Sequence, residues 1–157
     1  MEKISPCLWF NGQAEEAVNH YISIFKNARI KDIIPYGDTN PHGKTGSVML
    51  IIFEIEGQEF MALNGGADFK FCPAISLRIN CDTQKEVDRL WEKLSEGGKP
   101  GQCGWLEDKF GVSWQVTPSI VADMLRDEVA AKRDKVSAAV LTMEKLDIEK
   151  LKEAYES

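Results

Sequence analysis

Hydrophobic and polar positions alternate along much of the first two thirds of the chain, in short runs that are separated by turn residues. The runs 4–10, 29–36 and 47–66 predict strands, because strand side chains point to opposite faces with a period of two. The last run is long enough for two strands. Between the first two runs, residues 13–25 carry apolar side chains at helical spacing and predict an amphipathic helix. The predicted order is thus strand, helix and then several strands.

The same pattern starts again after a short loop. Residues 74–81 alternate and predict a strand, and residues 82–98 predict a helix that ends at a glycine pair. Thr83 and Glu86 have the spacing of a capping box at the start of this helix. The runs "QCGWLEDKF" and "GVSWQVTP" supply the closing strands. Because the apolar stripes of the two helices match at an offset of 70 residues, we predict a duplicated module.

The last part of the chain, residues 119–157, is charged and helical in pattern. Its clearest apolar stripe consists of Val129, Val136, Val140 and Met143. A stripe of this kind has to be buried, so these helices are expected to pack on the sheet or on a second subunit.

Composition narrows the class of protein. The 157 residues are 43% hydrophobic and 28% charged, which is ordinary for one globular domain or two small fused units. The net charge of −6 and the lack of a basic cluster argue against nucleic acid as a partner. No run is apolar enough to span a membrane or to act as a signal peptide. The sequence therefore predicts a cytoplasmic protein with reduced thiols at its cysteines, which are Cys7, Cys72, Cys81 and Cys103.

Few residues offer recognisable chemistry. The two histidines, His20 and His42, lie on unconnected elements, and the cysteines lack metal-finger spacing, so no metal site is expected. His42 falls in a loop of turn residues and is interpreted as an exposed side chain, with a place in a lid as the alternative. The glycine pair Gly65-Gly66 fits a tight turn or an adaptable loop that gates a cavity.

Several predicted strands each have one small or polar face. In the last strand, Ser113, Gln115 and Thr117 share a face opposite Val112, Trp114 and Val116. A half-solvated antiparallel sheet produces this alternation, and so does a curved sheet whose polar side lines a ligand cavity. The pattern alone leaves both interpretations open.

Four segments together resemble a known family: "PCLWFNGQAEEAVNHYISIF", "FMALNGG", "FKFCPAISLRINCDTQKEVDRLWEKLSEGG" and "QCGWLEDKFGVSWQV". They are similar to the PhnB-like branch of the vicinal oxygen chelate superfamily, which is often labelled demethylubiquinone methyltransferase-like. The superfamily includes glyoxalases, bleomycin-resistance proteins and extradiol dioxygenases. The resemblance covers residues 4–118.

The resemblance implies an α+β fold in which two βαβββ modules form a curved mixed sheet around a cavity, followed by C-terminal helices. The expected division is a glyoxalase-like domain at 1–118, built from modules 4–66 and 74–118, and a helical extension at 119–157. A homodimer is also implied.

The resemblance further bears on metal binding. The ligand positions of metal-using members correspond here to Pro6, the neighbourhood of Asn64, Ala74 and Gln115. Pro and Ala have no ligating side chain, and neutral amides are poor ligands for the divalent ions concerned. We therefore expect no metal and no cofactor. A methyltransferase is not expected either, because no glycine-rich turn joins a strand to a helix as in the usual fold that binds S-adenosylmethionine.

The leading hypothesis is a metal-independent protein that binds a small molecule of anionic or carbonyl-bearing type, attracted by Arg78 and oriented by Gln115. Two alternatives are an enzyme (a lyase, an isomerase or a transferase that uses the thiol of Cys7 or Cys103) and a module whose task is dimerisation through its terminal helices. The expected ligand-binding residues are Leu8, Phe60, Asn64, Phe69, Ser76, Arg78, Trp105, Ser113, Gln115 and Thr117.

Overall fold

The computed structural model describes residues 2–157, and the chain forms two compact α+β units that divide between Phe71 and Cys72. The first unit contains β1 (Cys7–Phe10), α1 (Ala14–Ile24), β2 (Ala28–Pro35), β3 (Val48–Ile55) and β4 (Gln58–Asn64). Its four strands form one mixed sheet in the order β1-β4-β3-β2, with β1 parallel to β4 and the other neighbours antiparallel.

The second unit repeats this arrangement and adds the terminal helices. Its elements are β5 (Leu77–Cys81), α2 (Gln84–Ser95), β6 (Lys99–Pro100), β7 (Trp105–Glu107), β8 (Ser113–Pro118), α3 (Ile120–Met124), α4 (Ala130–Leu141) and α5 (Ile148–Glu156). The sheet order is β5-β8-β7-β6, and β5 is parallel to β8. In both units the first strand of the module thus pairs in parallel with the last.

Aromatic rings join α1 to its sheet. The ring of Tyr21 stacks on that of Phe53 with centroids 6.5 Å apart, and Phe53 stacks on Phe60 at 5.4 Å. All three side chains are buried. The face of the first sheet that carries Phe53 and Phe60 is therefore the face that α1 covers.

The start of α2 agrees with the predicted capping box. The Thr83 hydroxyl accepts a hydrogen bond from the Glu86 backbone N–H at 3.2 Å. The Glu86 carboxylate in turn accepts the backbone N–H of Asp82 at 3.0 Å, one residue before the capping position. The first turn of α2 is thus fixed by local side chains.

Two predicted strands are shorter in the structure than the alternation suggested. The run from residue 4 pairs only from Cys7, and the run from residue 74 pairs only from Leu77. Extending the register backwards would place Ala74 opposite Gly111, which lies in the turn before β8, where no strand is available. Ile4 and Ile75, which were expected in strands, are 85% and 79% exposed.

The terminal helices pack on one another around a small apolar cluster. Its buried members are Val121, Met124, Val136, Leu146 and Leu151, with Val140 and Met143 packed against them. Three residues of the predicted stripe are thus confirmed, but Val129 is 51% exposed. Val129 has extended backbone and precedes α4, so helical spacing does not apply to it.

Candidate functional site

The face of the second sheet opposite to the one that packs on α2 brings three predicted site residues into one row. Arg78 on β5 is the register partner of Gln115 on β8, and Gln115 is also the partner of Trp105 on β7. Direct partners on adjacent strands point their side chains to the same side of a sheet. A guanidinium, an amide and an indole therefore lie next to one another; we call this set the Arg78 row.

Only some of the polar groups in the Arg78 row form hydrogen bonds within the protein. The Gln115 Nε2 donates a hydrogen bond to Ser76 Oγ at 2.8 Å, which orients the amide. Arg78 is exposed, and its guanidinium has no hydrogen-bond or ion-pair partner among residues 2–157. A fixed amide beside an unpaired cation is an arrangement that can take up a carboxylate or a carbonyl oxygen.

Ser113 and Thr117 lie on the same face as Gln115, one on each side of it along β8. Both are buried, at 5% and 6% exposure, whereas the sequence left open whether this face meets solvent. The opposite face of β8 carries Trp114 and Val116, which are buried at 2% or less and belong to the side that packs on α2. The parity of β8 predicted from the alternation agrees with the structure.

The first unit requires a correction. Leu8 is the register partner of Ala62, and Phe60 is the partner of Phe53, so these residues lie on the face that α1 covers. Leu8 and Phe60 are each 7% exposed. They are core residues of the first unit rather than part of an open face.

Asn64 is also on the covered face, where its amide has a structural role. Its Oδ1 accepts the backbone N–H of Ala14 at 3.0 Å, at the first residue of α1, and its Nδ2 donates to the Val48 carbonyl at 2.9 Å. The end of β4 thereby supplies the cap that Gln13, which precedes α1, does not provide through its own side chain. The predicted ligand-binding role of Asn64 has to be replaced by this one.

Trp9 on β1 and Phe69 in the loop after β4 form an aromatic pair, of which only Phe69 was predicted as a site residue. Phe69 is 65% exposed, and its ring meets the Trp9 ring edge to face with centroids 5.0 Å apart. The Trp9 Nε1 donates to the Gly66 carbonyl at 2.9 Å. A signal for Trp9 was present, since it alternates with the buried Leu8 and Phe10.

The residues at the superfamily's metal positions do not fit a divalent ion. Pro6 and Ala74 offer no side-chain donor, and the Asn64 amide is committed to two backbone groups. Gln115 is a neutral amide that hydrogen-bonds Ser76. Within residues 2–157, no three His, Cys, Asp or Glu side chains cluster in a way that could hold a metal ion. These residues are therefore a poor ligand set for a divalent ion.

The surroundings of Cys7 and Cys81 do not favour a reactive thiol. Burial raises the pKa of the Cys7 thiol, and burial together with the nearby carboxylates of Glu86 and Asp82 raises that of Cys81 to about 12. A raised pKa reduces the fraction of thiolate, which is the nucleophilic form. Cys103 lies in a turn with a positive φ of 61°.

A buried carboxylate in the first unit gives a pH-dependent prediction. The hydrogen bond from Lys31, at 2.6 Å, and that from the Glu2 backbone N–H lower the pKa of Glu59 to about 2. Because this pKa lies below the unfolded value of 4.5, Glu59 stabilises the fold above about pH 4.5 and progressively less as the pH falls towards 2.

We expect the denaturation midpoints of the wild type and of Glu59→Gln to differ most near pH 6 and to converge as the pH falls from 5 to about 2. Urea titrations at several pH values measure this. A Lys31→Gln variant should retain less of the pH-dependent difference, because the main donor to Glu59 is gone. A midpoint difference that stays constant down to pH 2.5 would contradict the assignment.

Comparisons with known proteins identify the family of the chain. Residues 2–117 match the family described as 3-demethylubiquinone-9 3-methyltransferase. The chain is similar to a PhnB protein from Bacillus cereus, with 40% identity over 73% of this chain and 97% of that one and a TM-score of 0.65. The chain belongs to this PhnB-like family.

A second solved structure, a protein from Pseudomonas aeruginosa, is 26% identical over 73% of this chain and 95% of that one, with a TM-score of 0.58. No curated protein matches the chain. The family match ends at residue 117, so α3, α4 and α5 lie beyond the part that the PhnB-like family defines. None of the helices within residues 2–157 is long and apolar enough to cross a membrane.

Proposed function

We propose that this PhnB-like chain is a cytoplasmic, metal-independent protein that binds a small anionic or carbonyl-bearing molecule and acts as a homodimer. The observation that carries the proposal is the Arg78 row, in which an unpaired guanidinium stands beside an amide that Ser76 orients. The indole of Trp105 completes the row and offers a flat apolar surface. A few polar groups next to an aromatic surface are the usual composition of a small-molecule site.

Each member of the row has a separate task in this proposal. Arg78 attracts the negative charge and donates up to two parallel hydrogen bonds to a carboxylate. The Gln115 Oε1, which the Ser76 contact leaves available, accepts from a hydroxyl or amide of the ligand. Trp105 packs against the body of the ligand.

Methyl transfer is not part of the proposal, although the matching family carries that name. Transfer from S-adenosylmethionine normally uses a glycine-rich turn between a strand and a helix. Here β1 and α1 are joined by residues 11–13, which include one glycine, and β5 and α2 are joined by Asp82 and Thr83. Neither connection offers that turn.

Benzoate is a suitable probe for the row because it combines a carboxylate with a flat ring. We expect Arg78→Gln in the full chain to weaken benzoate binding about tenfold, the size of one charge-assisted hydrogen bond lost at a partly open site. Benzamide, the neutral analogue, should be affected little. Isothermal titration calorimetry or ligand-observed NMR measures both affinities.

A matched control is Arg126→Gln, which removes an exposed arginine of the same unit that is not part of the row. Equal effects of the two substitutions on benzoate binding would contradict the proposed site.

Native mass spectrometry of protein purified without chelators tests the remaining parts of the proposal together, because it reports subunit number, bound small molecules and metal. A stoichiometric divalent ion would contradict metal independence, and a monomer would contradict the homodimer.

A further inference from the structure

A cavity lies entirely within the first unit and has a different chemistry from the Arg78 row. It encloses about 160 Å³. Its walls come from β1, β3 and β4 and from the loops that follow β2 and β4. We call it the Trp9 cavity, after one of the aromatic residues that line it. The lining residues are Trp9, Tyr36, Asn40, His42, Met49, Leu63, Gly65 and Asp68.

Two glycines hold the aromatic walls of the Trp9 cavity in place. A Cβ on Gly65 would come within 2.3 Å of the Trp9 ring, and one on Gly43 would come within 2.2 Å of the Tyr36 ring. Each ring therefore has backbone packed closely against it, in a position that only glycine permits. Of the glycine pair Gly65-Gly66, it is Gly65 that has this packing role.

Backbone carbonyls also satisfy the polar atoms of both rings. The Trp9 Nε1 donates to the Gly66 carbonyl, and the Tyr36 hydroxyl donates to the Asn64 carbonyl. The rings are thus fixed at their edges, and no ring donor remains for a ligand. What the two side chains offer the cavity is aromatic surface in a fixed position.

The formal charge at this cavity is negative. Asp68 is exposed at the rim, and its carboxylate has no hydrogen-bond or ion-pair partner among residues 2–157. Neither lysine nor arginine lines the cavity. A carboxylate beside two aromatic rings is complementary to a cation that also carries apolar groups.

We propose that the Trp9 cavity binds a small organic ammonium ion, such as a methylated amine. The methyl groups would pack on Trp9, Tyr36, Met49 and Leu63, and the positive charge would face Asp68 and the aromatic faces. This goes beyond the function proposed above, in which Arg78 takes up a negative charge. The two sites differ in residues, in unit and in the sign of the charge that they attract.

The test compares choline with 3,3-dimethylbutan-1-ol, its neutral isostere, on the full chain. We expect choline to bind in the millimolar range and about fivefold more tightly than the isostere, a difference typical of cation–π and exposed charge contacts. Asp68→Asn should weaken choline binding about threefold and leave the isostere unchanged. Ligand-observed NMR measures weak binding of this kind.

The control variant is Asp38→Asn, which removes an exposed carboxylate of the loop after β2 that does not line the cavity. It should bind choline as the wild type does. Circular dichroism of each variant confirms that the fold is kept. Equal binding of choline and the isostere, no binding of either, or equal effects of the two Asp substitutions would each overturn the proposal.

Discussion

Replacing Asp108 by alanine is expected to lower the free energy of unfolding by about 3 to 4 kcal/mol, since it removes three hydrogen bonds to a buried carboxylate. Asp108 is 1% exposed and lies in the turn between β7 and β8. Its Oδ1 accepts the backbone N–H groups of Phe110 and Val112 at 2.9 and 3.0 Å, and its Oδ2 accepts the Trp114 indole N–H at 2.8 Å. Without the carboxylate, buried donors lose their acceptor.

Urea denaturation with a common m-value measures the effect. Asp108→Asn should fall between the wild type and alanine, because an amide keeps one acceptor oxygen but turns its NH₂ towards one of the donors. Asp123→Ala, which removes an exposed aspartate on α3, should change stability by less than about 0.5 kcal/mol. If Asp108→Ala cost no more than Asp123→Ala, the turn would not depend on this carboxylate.

The element order was predictable because each segment carries its own periodicity. Local patterns such as the Thr83 cap on α2 need only a few neighbouring residues, and those are visible in the sequence. Strand ends were less predictable, since they depend on the partner strand. The strand β5 begins at Leu77 because Trp114 of β8 is available as its pairing partner. The alternation of residues around position 74 contains no information about that partner.

The two faces of a strand were predictable where one face is polar and the other apolar. On β8 the two faces differ in kind, so Trp114 identifies the covered side and Gln115 the other. On β1 and β4 both faces are apolar: Trp9 and Met61 lie on one, Leu8 and Phe60 on the other. Alternation then separates the two faces but does not show which of them a helix covers. Leu8 and Phe60 were therefore predicted to line a cavity, whereas they lie on the face that α1 covers.

Other residues owe their roles to contacts between distant parts of the chain. Asn64 caps α1 from 50 residues away, and Lys31 meets Glu59 across 28 residues. Neither contact can be predicted from the sequence, because the residues around each partner show no pattern that depends on a residue so far along the chain. A polar residue at the end of an apolar strand can bind a ligand or cap a helix. The sequence does not distinguish these two roles, because they depend on what lies next to the strand in the folded chain.

The docking of the terminal helices gives the second large prediction. Leu146 is 1% exposed and belongs to the apolar cluster of these helices. A Cβ placed on Gly104 would lie 3.1 Å from its Cδ1, so the leucine packs directly on the segment that leads into β7. The backbone N–H groups of Cys103 and Gly104 donate to the carbonyls of Met143 and Glu144, at 2.7 Å each.

We therefore expect Leu146→Ala to cost about 3 kcal/mol, through lost burial and the cavity that it leaves. Leu141→Ala is the matched control, since Leu141 belongs to the same helical extension and is 70% exposed; it should change stability by less than about 0.5 kcal/mol. Urea midpoints of both variants measure the contrast. Because Gly104 immediately precedes Trp105, the same packing supports one member of the Arg78 row. Equal midpoints for the two variants would mean that the extension is not docked in this way.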